Sequence, residues 1–431
     1  MLDRNTPPNI SEFSQLSLPK LNIKTLPNGV TLQILDSGDE AVSRLSIHWP
    51  AGLLDVNSPA ACNLLANLLT EGCDGLSGKE VTDILESNGT WLKVSPTQHS
   101  IVLTLHSINH TAREIIPLIG KIIASPSFPT EALESLKKKV AADKELALRK
   151  PSYQAAIIAK QALYGENHPL AQTITPDDIL SITREDIVAL HKSIILSNKP
   201  TVFLSGNITP EIEAVVSETL SSISFDESNS TRITRRVSIP EPYTLRETRR
   251  KEMPESLQTG IRIQIPTIPR QHPDYEALRF AVTALGGYFG SRLMSNIRED
   301  KGYTYGIGAS LIPALEGANI VISCECDNRY TNAVIEEVWR EIDRLANDCL
   351  DKEEMDTVRN LIVSSLAGIL DSPFTISSFI EQLSSLRLSP ETYSRQILEA
   401  ITVTPEKVKA VVQDYLSNTP AVTALAGGQP G

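Results

Sequence analysis

ITREDIVALHKSIILSNKPTVFLSGN, residues 182–207, and VTPEKVKAVVQDYLSNTPAVTALAGG, residues 403–428, carry one pattern twice. Each starts with a threonine followed two residues later by glutamate, a helix N-cap with an acid in the first turn, where unpaired N–H groups and the helix dipole favour negative charge. An apolar stripe at helical spacing comes next, then Ser-Asn, a proline and a short apolar run ending near glycine. Helix, turn and strand therefore close two halves of one chain.

Outward from these segments, the halves also open alike. VTLQILD (30–36) and SRLSIHWPAG (43–52) read as strands in the first half, and GIRIQIPTI (260–268) does so in the second. Helical patterns follow: PAACNLLANLLTEG (59–72) and GKEVTDILESNG (78–89), matched by HPDYEALRFAVTALGG (272–287) and FGSRLMSNIRED (289–300). Each half then has a pair of alternating strands and a long helix, 129–150 and 351–370. Strands and helices in this mixed order predict an α+β fold of two homologous domains. Each is expected to be a mostly antiparallel sheet covered by helices on one face.

The expected limits are an N-terminal extension at 1–21, a first domain at 22–225, a linker at 226–250 and a second domain at 251–431. The linker, DESNSTRITRRVSIPEPYTLRETRRKE and its surroundings, mixes charge, Ser/Thr and Pro without apolar periodicity. Its basic cluster (Arg232, Arg235, Arg236, Arg246, Arg249, Arg250 and Lys251) reads as solvated linker.

A net charge of −12 argues against a nucleic-acid binder, which needs a basic stripe to track phosphates. Apolar residues at 41% and charged residues at 21% are ordinary globular usage, so a disordered or fibrous chain is a poor fit. The five cysteines form no C-x-x-C, and Cys324 and Cys326, two apart in an apolar run, share one face of a strand as buried thiols. No run of 18 apolar residues is present to span a membrane. The first twenty residues lack a signal peptide's apolar core. A cytoplasmic location is expected if the start is native, and an exported one if a leader was trimmed.

The most specific stretch is LGGYFGSRLMSNIREDKGYTYGIGAS, residues 285–310. It resembles the C-terminal homologous region of the insulinase/pitrilysin peptidases, where a Gly-rich turn leads into a helix bearing an arginine and a tyrosine follows at the start of a strand. Those positions here are Arg298 and Tyr305, and the resemblance covers roughly residues 22–425. It implies that Arg298 and Tyr305 bind substrate. A charged planar fork and a phenol can both donate hydrogen bonds to a peptide whose carbonyl oxygen gains charge.

The family's other signature is the inverted zinc motif H-x-x-E-H on a helix of the first domain, with two histidine ligands and a glutamate base. The matching helix is PAACNLLANLLTEGC, with Asn63 and Asn67 at the histidine positions and Ala66 at the glutamate. The third ligand, a glutamate, aligns near Lys144; Glu145 stands one residue away but alone makes no zinc site. Asparagine has no imidazole nitrogen and alanine no proton acceptor, so no metal or other cofactor is expected here. Nor do the remaining histidines replace the site. His106 and His110 read as surface or loop residues after a strand, His168 as a capping or packing residue in an HP turn, and His48 as packing. His99, His191 and His272 show no ligand spacing. There is no G-x-S-x-G elbow, and Gly286–Gly290 follows a helix rather than a strand, unlike a phosphate-binding loop.

Short members of the family act as dimers, and in heterodimers one subunit holds the zinc while the other supplies the Arg/Tyr pair. The resemblance therefore implies a subunit with no activity alone. Its expected partner is a homologous zinc-bearing peptidase chain, and its ligands are peptide substrates. Isolated, such a chain can pair with itself without biological role. The alternative is a structural core subunit of a larger complex with no peptidase role; the nature of the co-purifying partner separates the two.

Overall fold

The computed structural model describes residues 16–226, 246–315 and 317–429. Strands β1 (Asn22–Thr25), β2 (Thr31–Asp36) and β3 (Val42–Trp49) come first, then helix α1 (Pro59–Leu68), the small hairpin β4 (Gly72–Cys73) and β5 (Leu76–Ser77), and helix α2 (Gly78–Ser87). β6 (Trp91–Pro96) and β7 (Ile101–Ile108) lead to α3 (Ala112–Ala124), α4 (Thr130–Leu148), α5 (Pro151–Tyr164), α6 (Pro176–Ser181) and α7 (Arg184–Leu190). β8 (Thr201–Gly206) and α8 (Pro210–Ser221) end the first half.

The second half begins with β9 (Arg246–Glu252), β10 (Gln258–Thr267), α9 (Tyr275–Gly286), β11 (Thr304–Ala314) and β12 (Gly317–Asp327). Helices α10 (Thr331–Asn347), α11 (Lys352–Ala367), α12 (Pro373–Ser385), α13 (Thr392–Thr402) and α14 (Pro405–Val412) precede the closing strand β13 (Ala421–Gly427).

The duplication is visible in the strand order. The first sheet runs β1-β2-β8-β3-β7-β6 and the second β9-β13-β10-β12-β11. Apart from β1, the orders superpose: β2 on β9, β8 on β13, β3 on β10, β7 on β12 and β6 on β11. Each closing strand enters its sheet between one parallel and one antiparallel neighbour, and every other pairing in these two sheets is antiparallel. The repeated segment folds alike in both halves. Thr183 and Thr404 cap α7 and α14, accepting from the amides of Asp186 and Lys407. Both helices then widen into π-turns, His191–Leu196 and Gln413–Ser417, a detail that the apolar stripe does not encode.

Helices bury one face of each sheet, as the alternation requires: Leu45 and Ile47 of β3 and Ile261, Ile263 and Ile265 of β10 enter the two main cores. The other face is covered in part by a helix from the opposite half. α5 lies across β10, β13 and β9, and α12 lies across β8 and β2. Leu35 and Phe203 pack with Ile376 and Ile380 at one crossing, and Tyr164 with Val422 at the other. The close approach of α5 explains Gly260, because a Cβ there would sit 2.5 Å from the Pro151 carbonyl carbon and the Ser152 nitrogen.

The structure corrects the end of the expected linker. Residues 246–250 are strand: β9 pairs in parallel with β13 from Arg246↔Ala421 to Glu252↔Gly427. RETRRKE has no apolar alternation because β9 is a sheet edge, where charge discourages pairing with other chains. Its cations are therefore engaged rather than linker-bound. Arg246 lies 4.0 Å from the Trp339 ring and donates to the Ser417 carbonyl at 3.1 Å, Arg249 pairs with Glu247, and Lys251 donates to Gln154 at 2.9 Å. Arg232, Arg235 and Arg236 lie outside the described residues. Among the described residues no single helix is long and apolar enough to cross a membrane.

Candidate functional site

The end of α9 begins the site. Gly286 meets β11 so closely that a Cβ would fall 2.5 Å from the Ala309 nitrogen. The chain then turns through Gly287–Gly290 into the π-helix Met294–Asp300, pinned to the core by Leu293 and Ile297. Its outer side is tied down by carboxylates. Arg292 forms two 2.8 Å bonds to Glu354, Asn296 donates to Glu337 at 3.0 Å and Glu341 at 2.6 Å, and Lys301 pairs with Glu337 at 2.6 Å.

Arg298 leaves this braced turn with its guanidinium 4.4 Å from the centre of the Phe289 ring. Gly302 then takes a left-handed φ of +65°, and β11 starts. A register shift between Thr304 and Ile307 breaks the ladder, and the Thr304 hydroxyl fills the gap by donating to the Glu325 carbonyl at 2.6 Å. A bulge re-aims the residue it contains. Tyr305 is that residue, and it is 95% exposed.

Arg298 and Tyr305 line one groove of 1330 Å³. The end of α4 and the turn after it, with Leu148 and Arg149, also line it, as does Leu257. The structure thus brings the expected pair into one groove. Arg298 and Tyr305 make no hydrogen bond with each other; each is free to donate to a third molecule.

Asn63, Ala66 and Asn67 sit on α1, as the resemblance implies. The Asn63 amide donates to the Pro59 carbonyl at 3.2 Å and the Asn67 amide to the Asn63 carbonyl at 2.8 Å, so both side chains fold back on their own helix. Ala66 is 1% exposed. At the third ligand's position, Lys144 donates to the Tyr153 hydroxyl at 2.6 Å, and Glu145 forms a surface pair with Arg149 at 2.9 Å. This donor set does not suit zinc: two neutral amides, a methyl group and a cation replace imidazoles and carboxylates. Among the described residues no group of three His, Cys, Asp or Glu side chains could hold a metal.

Two histidines differ from expectation. His48 is more than packing, for its Nε2 lies 3.0 Å from Glu381 of α12 and 3.0 Å from the Ser46 hydroxyl. Arg44 and Ser46 bond the same carboxylate, and Ser377 donates to it at 2.8 Å. Burial pushes the Glu381 carboxyl up, but hydrogen bonds from His48 and Arg44 and their charges outweigh it and bring the pKa to about 2. The signal for this cluster was present in sequence as Arg44, Ser46 and His48, alternate residues on one strand face. His106 is a half-buried strand residue rather than a surface one, sandwiched between Trp91 and Phe374 at 5.4 Å from each. Burial and the nearby Arg44 charge lower its pKa. His168 caps and packs as expected, accepting from the Leu170 amide at 3.2 Å and stacking on Tyr164. Cys324 and Cys326 are buried side by side on β12.

Comparison with known proteins gives a consistent picture. Residues 181–362 match the peptidase M16 inactive domain. The chain is 26% identical to the non-peptidase homolog YmxG of Helicobacter pylori over 272 residues, 61% of this chain and 60% of that protein. It thus spans under two thirds of the length of that relative. To the uncharacterized zinc protease ML0855 of Mycobacterium leprae it is 22% identical over 412 residues, 91% of this chain and 88% of the other. The crystal structure of a peptidase M16 inactive domain from Pseudomonas fluorescens has the same fold, with a TM-score of 0.83 over 95% of this chain and 99% of that one at 21% identity.

Proposed function

The chain belongs to the insulinase/pitrilysin (M16) peptidase family as an inactive homologue, and from that premise we propose that it is the non-catalytic subunit of a heterodimeric zinc peptidase. In this reading it lends Arg298 and Tyr305 to the site of a homologous chain that bears an intact H-x-x-E-H. The observation that carries the proposal is the division between the two halves. The positions that would hold metal are closed by Asn63, Ala66 and Asn67, while Tyr305 stands 95% exposed beside Arg298 in an open groove.

The chemistry follows from those two donors. The partner supplies the metal, and this chain supplies hydrogen bonds to the bound peptide. As the scissile carbonyl becomes tetrahedral its oxygen gains charge. A guanidinium and a phenol that are fixed by a braced turn and a bulge need little reorganisation to meet it. The Phe289 ring holds the guanidinium 4.4 Å from its centre until a peptide competes for it.

The test is reconstitution with the H-x-x-E-H chain that co-purifies with this one. Mixing is expected to produce peptidase activity that neither chain has alone, and Tyr305→Phe or Arg298→Ala should lower the mixed rate by about 10²-fold, the usual loss for a transition-state donor. A partner fully active alone, with both variants leaving the mixed rate unchanged, would refute the proposal. Co-purification with a large complex lacking any such chain would favour a structural core subunit.

A further inference from the structure

We propose that the cleft beside Tyr305 recognises a carboxylate of the bound peptide, received by Arg262. This rests on reading the groove as a peptide site, and it specifies which peptides the site prefers.

The cleft exists because of what β10, β11 and β12 leave unfilled. Ile261, Ile263 and Ile265 of β10 point into the core, so Arg262 between them leaves on the other face, toward α5. Its cross-strand neighbour on β12 is Ser323, too short to fill the space, and a Cβ on Gly306 of β11 would meet nothing within 4 Å. A hollow of 480 Å³ remains, lined by Arg262, Tyr305, Ser323, Glu325 and Ser152. Tyr305 also lines the larger groove, so a peptide touching its hydroxyl passes the mouth of this hollow.

Arg262 lines the hollow without a paired carboxylate. Arg262 is partly buried, and its Nε has no hydrogen-bond partner. Among the described residues no carboxylate pairs with Arg262 or with Lys160 of α5. Burial alone lowers the Arg262 pKa, with no acid countering it. Burial and then the Arg262 and Lys144 cations lower that of Lys160.

One carboxylate also lines the hollow. Glu325 accepts the Ser152 amide at 3.1 Å in the first turn of α5, where the helix dipole offsets part of its charge. With Glu325 engaged by that amide, the unpaired Arg262 guanidinium makes a site that a second carboxylate completes. Arginine suits it because its planar fork binds both oxygens of that group.

A carboxylate can come from an Asp or Glu side chain or from a peptide C-terminus, and the test separates the two. The isolated full chain is titrated with a fluorescent extended peptide containing one Glu, its Gln counterpart, and both with free or amidated ends. Binding is followed by anisotropy at low and at physiological salt. The carboxylate-bearing peptide is expected to bind about tenfold more tightly than its neutral match at low salt, with the ratio shrinking as salt screens the charges. Arg262→Gln should bring the ratio toward one without weakening the neutral peptide, and Arg262→Lys should keep most of it. Preference for internal Glu, or for the free end, names the source.

A ratio of one in the natural chain, or a ratio that survives Arg262→Gln, overturns the inference, as does failure of every peptide to bind. If Arg298→Ala and Tyr305→Phe weaken all peptides while the ratio is one, the groove is a peptide site and only the carboxylate preference is wrong. If those two variants change nothing while Arg262→Gln abolishes the ratio, the carboxylate site stands and the role of Arg298 and Tyr305 falls.

Discussion

Arg44 of the first half and Glu381 of the second form a bidentate ion pair, Nη1–Oε1 at 2.5 Å and Nη2–Oε2 at 3.0 Å, in which both side chains are less than a tenth exposed. Removing one partner of a buried pair strands the other's charge, so Glu381→Gln should cost about 3–5 kcal/mol in stability. The pH dependence follows in sign. A carboxyl held at about 2 when folded and near 4.3 when unfolded stabilises the fold above the unfolded value and loses that stabilisation as pH falls toward 2. The difference corresponds to about 3 kcal/mol. Between neutral pH and pH 3, the natural chain should lose more thermal stability than Glu381→Gln does. Parallel losses in the two proteins would show that the pair does not set the acid limb.

Gly260 tests the other crossing between the halves. α5 lies so near β10 that a methyl group at 260 would overlap the backbone of Pro151 and Ser152. Gly260→Ala should therefore destabilise the chain by about 1–3 kcal/mol, the range for overpacking. A larger loss of amide protection in α5 than in α3, measured by hydrogen exchange, would place the damage at the crossing. Equal protection in both helices would show that α5 relaxes without cost.

How far these features were legible in the sequence depends on whether they are local. The repeated Thr-x-Glu, apolar stripe and Ser-Asn-Pro define helix, turn and strand within one segment, and both copies fold that way. β9 was missed because an edge strand needs no apolar face, so RETRRKE looks like linker until β13 pairs with it. The grip of Glu381 on Arg44 and His48 spans more than 300 positions in the chain. Sequence shows only its near half, three polar residues alternating on β3. That Arg298 and Tyr305 share one groove was readable from the family motif around them. The bulge that exposes Tyr305 was not, since it depends on Thr304 reaching the Glu325 carbonyl across the sheet.

Phe289 offers a way to separate positioning from folding. Its ring is 63% exposed and its partner is the Arg298 guanidinium, so Phe289→Ala should change stability by no more than about 1 kcal/mol. In the reconstituted pair the same variant should lower kcat several-fold, because Arg298 loses the surface that orients it, while Phe289→Tyr should restore most of the rate. A fall in melting temperature that tracks the fall in rate would instead make Phe289 structural.

The degenerate metal site gives the last prediction. The natural chain, purified and dialysed, should carry no stoichiometric zinc by elemental analysis. Replacing Asn63 and Asn67 by His would put two imidazoles four residues apart on one helix face, but Lys144 stands where the resemblance puts the third ligand, and a cation there opposes the metal. The double variant should therefore lose zinc on dialysis, and adding Lys144→Glu should retain it. Ala66→Glu supplies the missing base at a separate cost. The side chain there is 1% exposed, so an added carboxylate is buried without a partner unless zinc or water reaches it. The melting temperature should drop on adding Ala66→Glu and recover in part when zinc binds, by mass action on the folded state. Zinc retained by the natural chain, or by the double variant without Lys144→Glu, would mean that other residues of this chain complete a metal site.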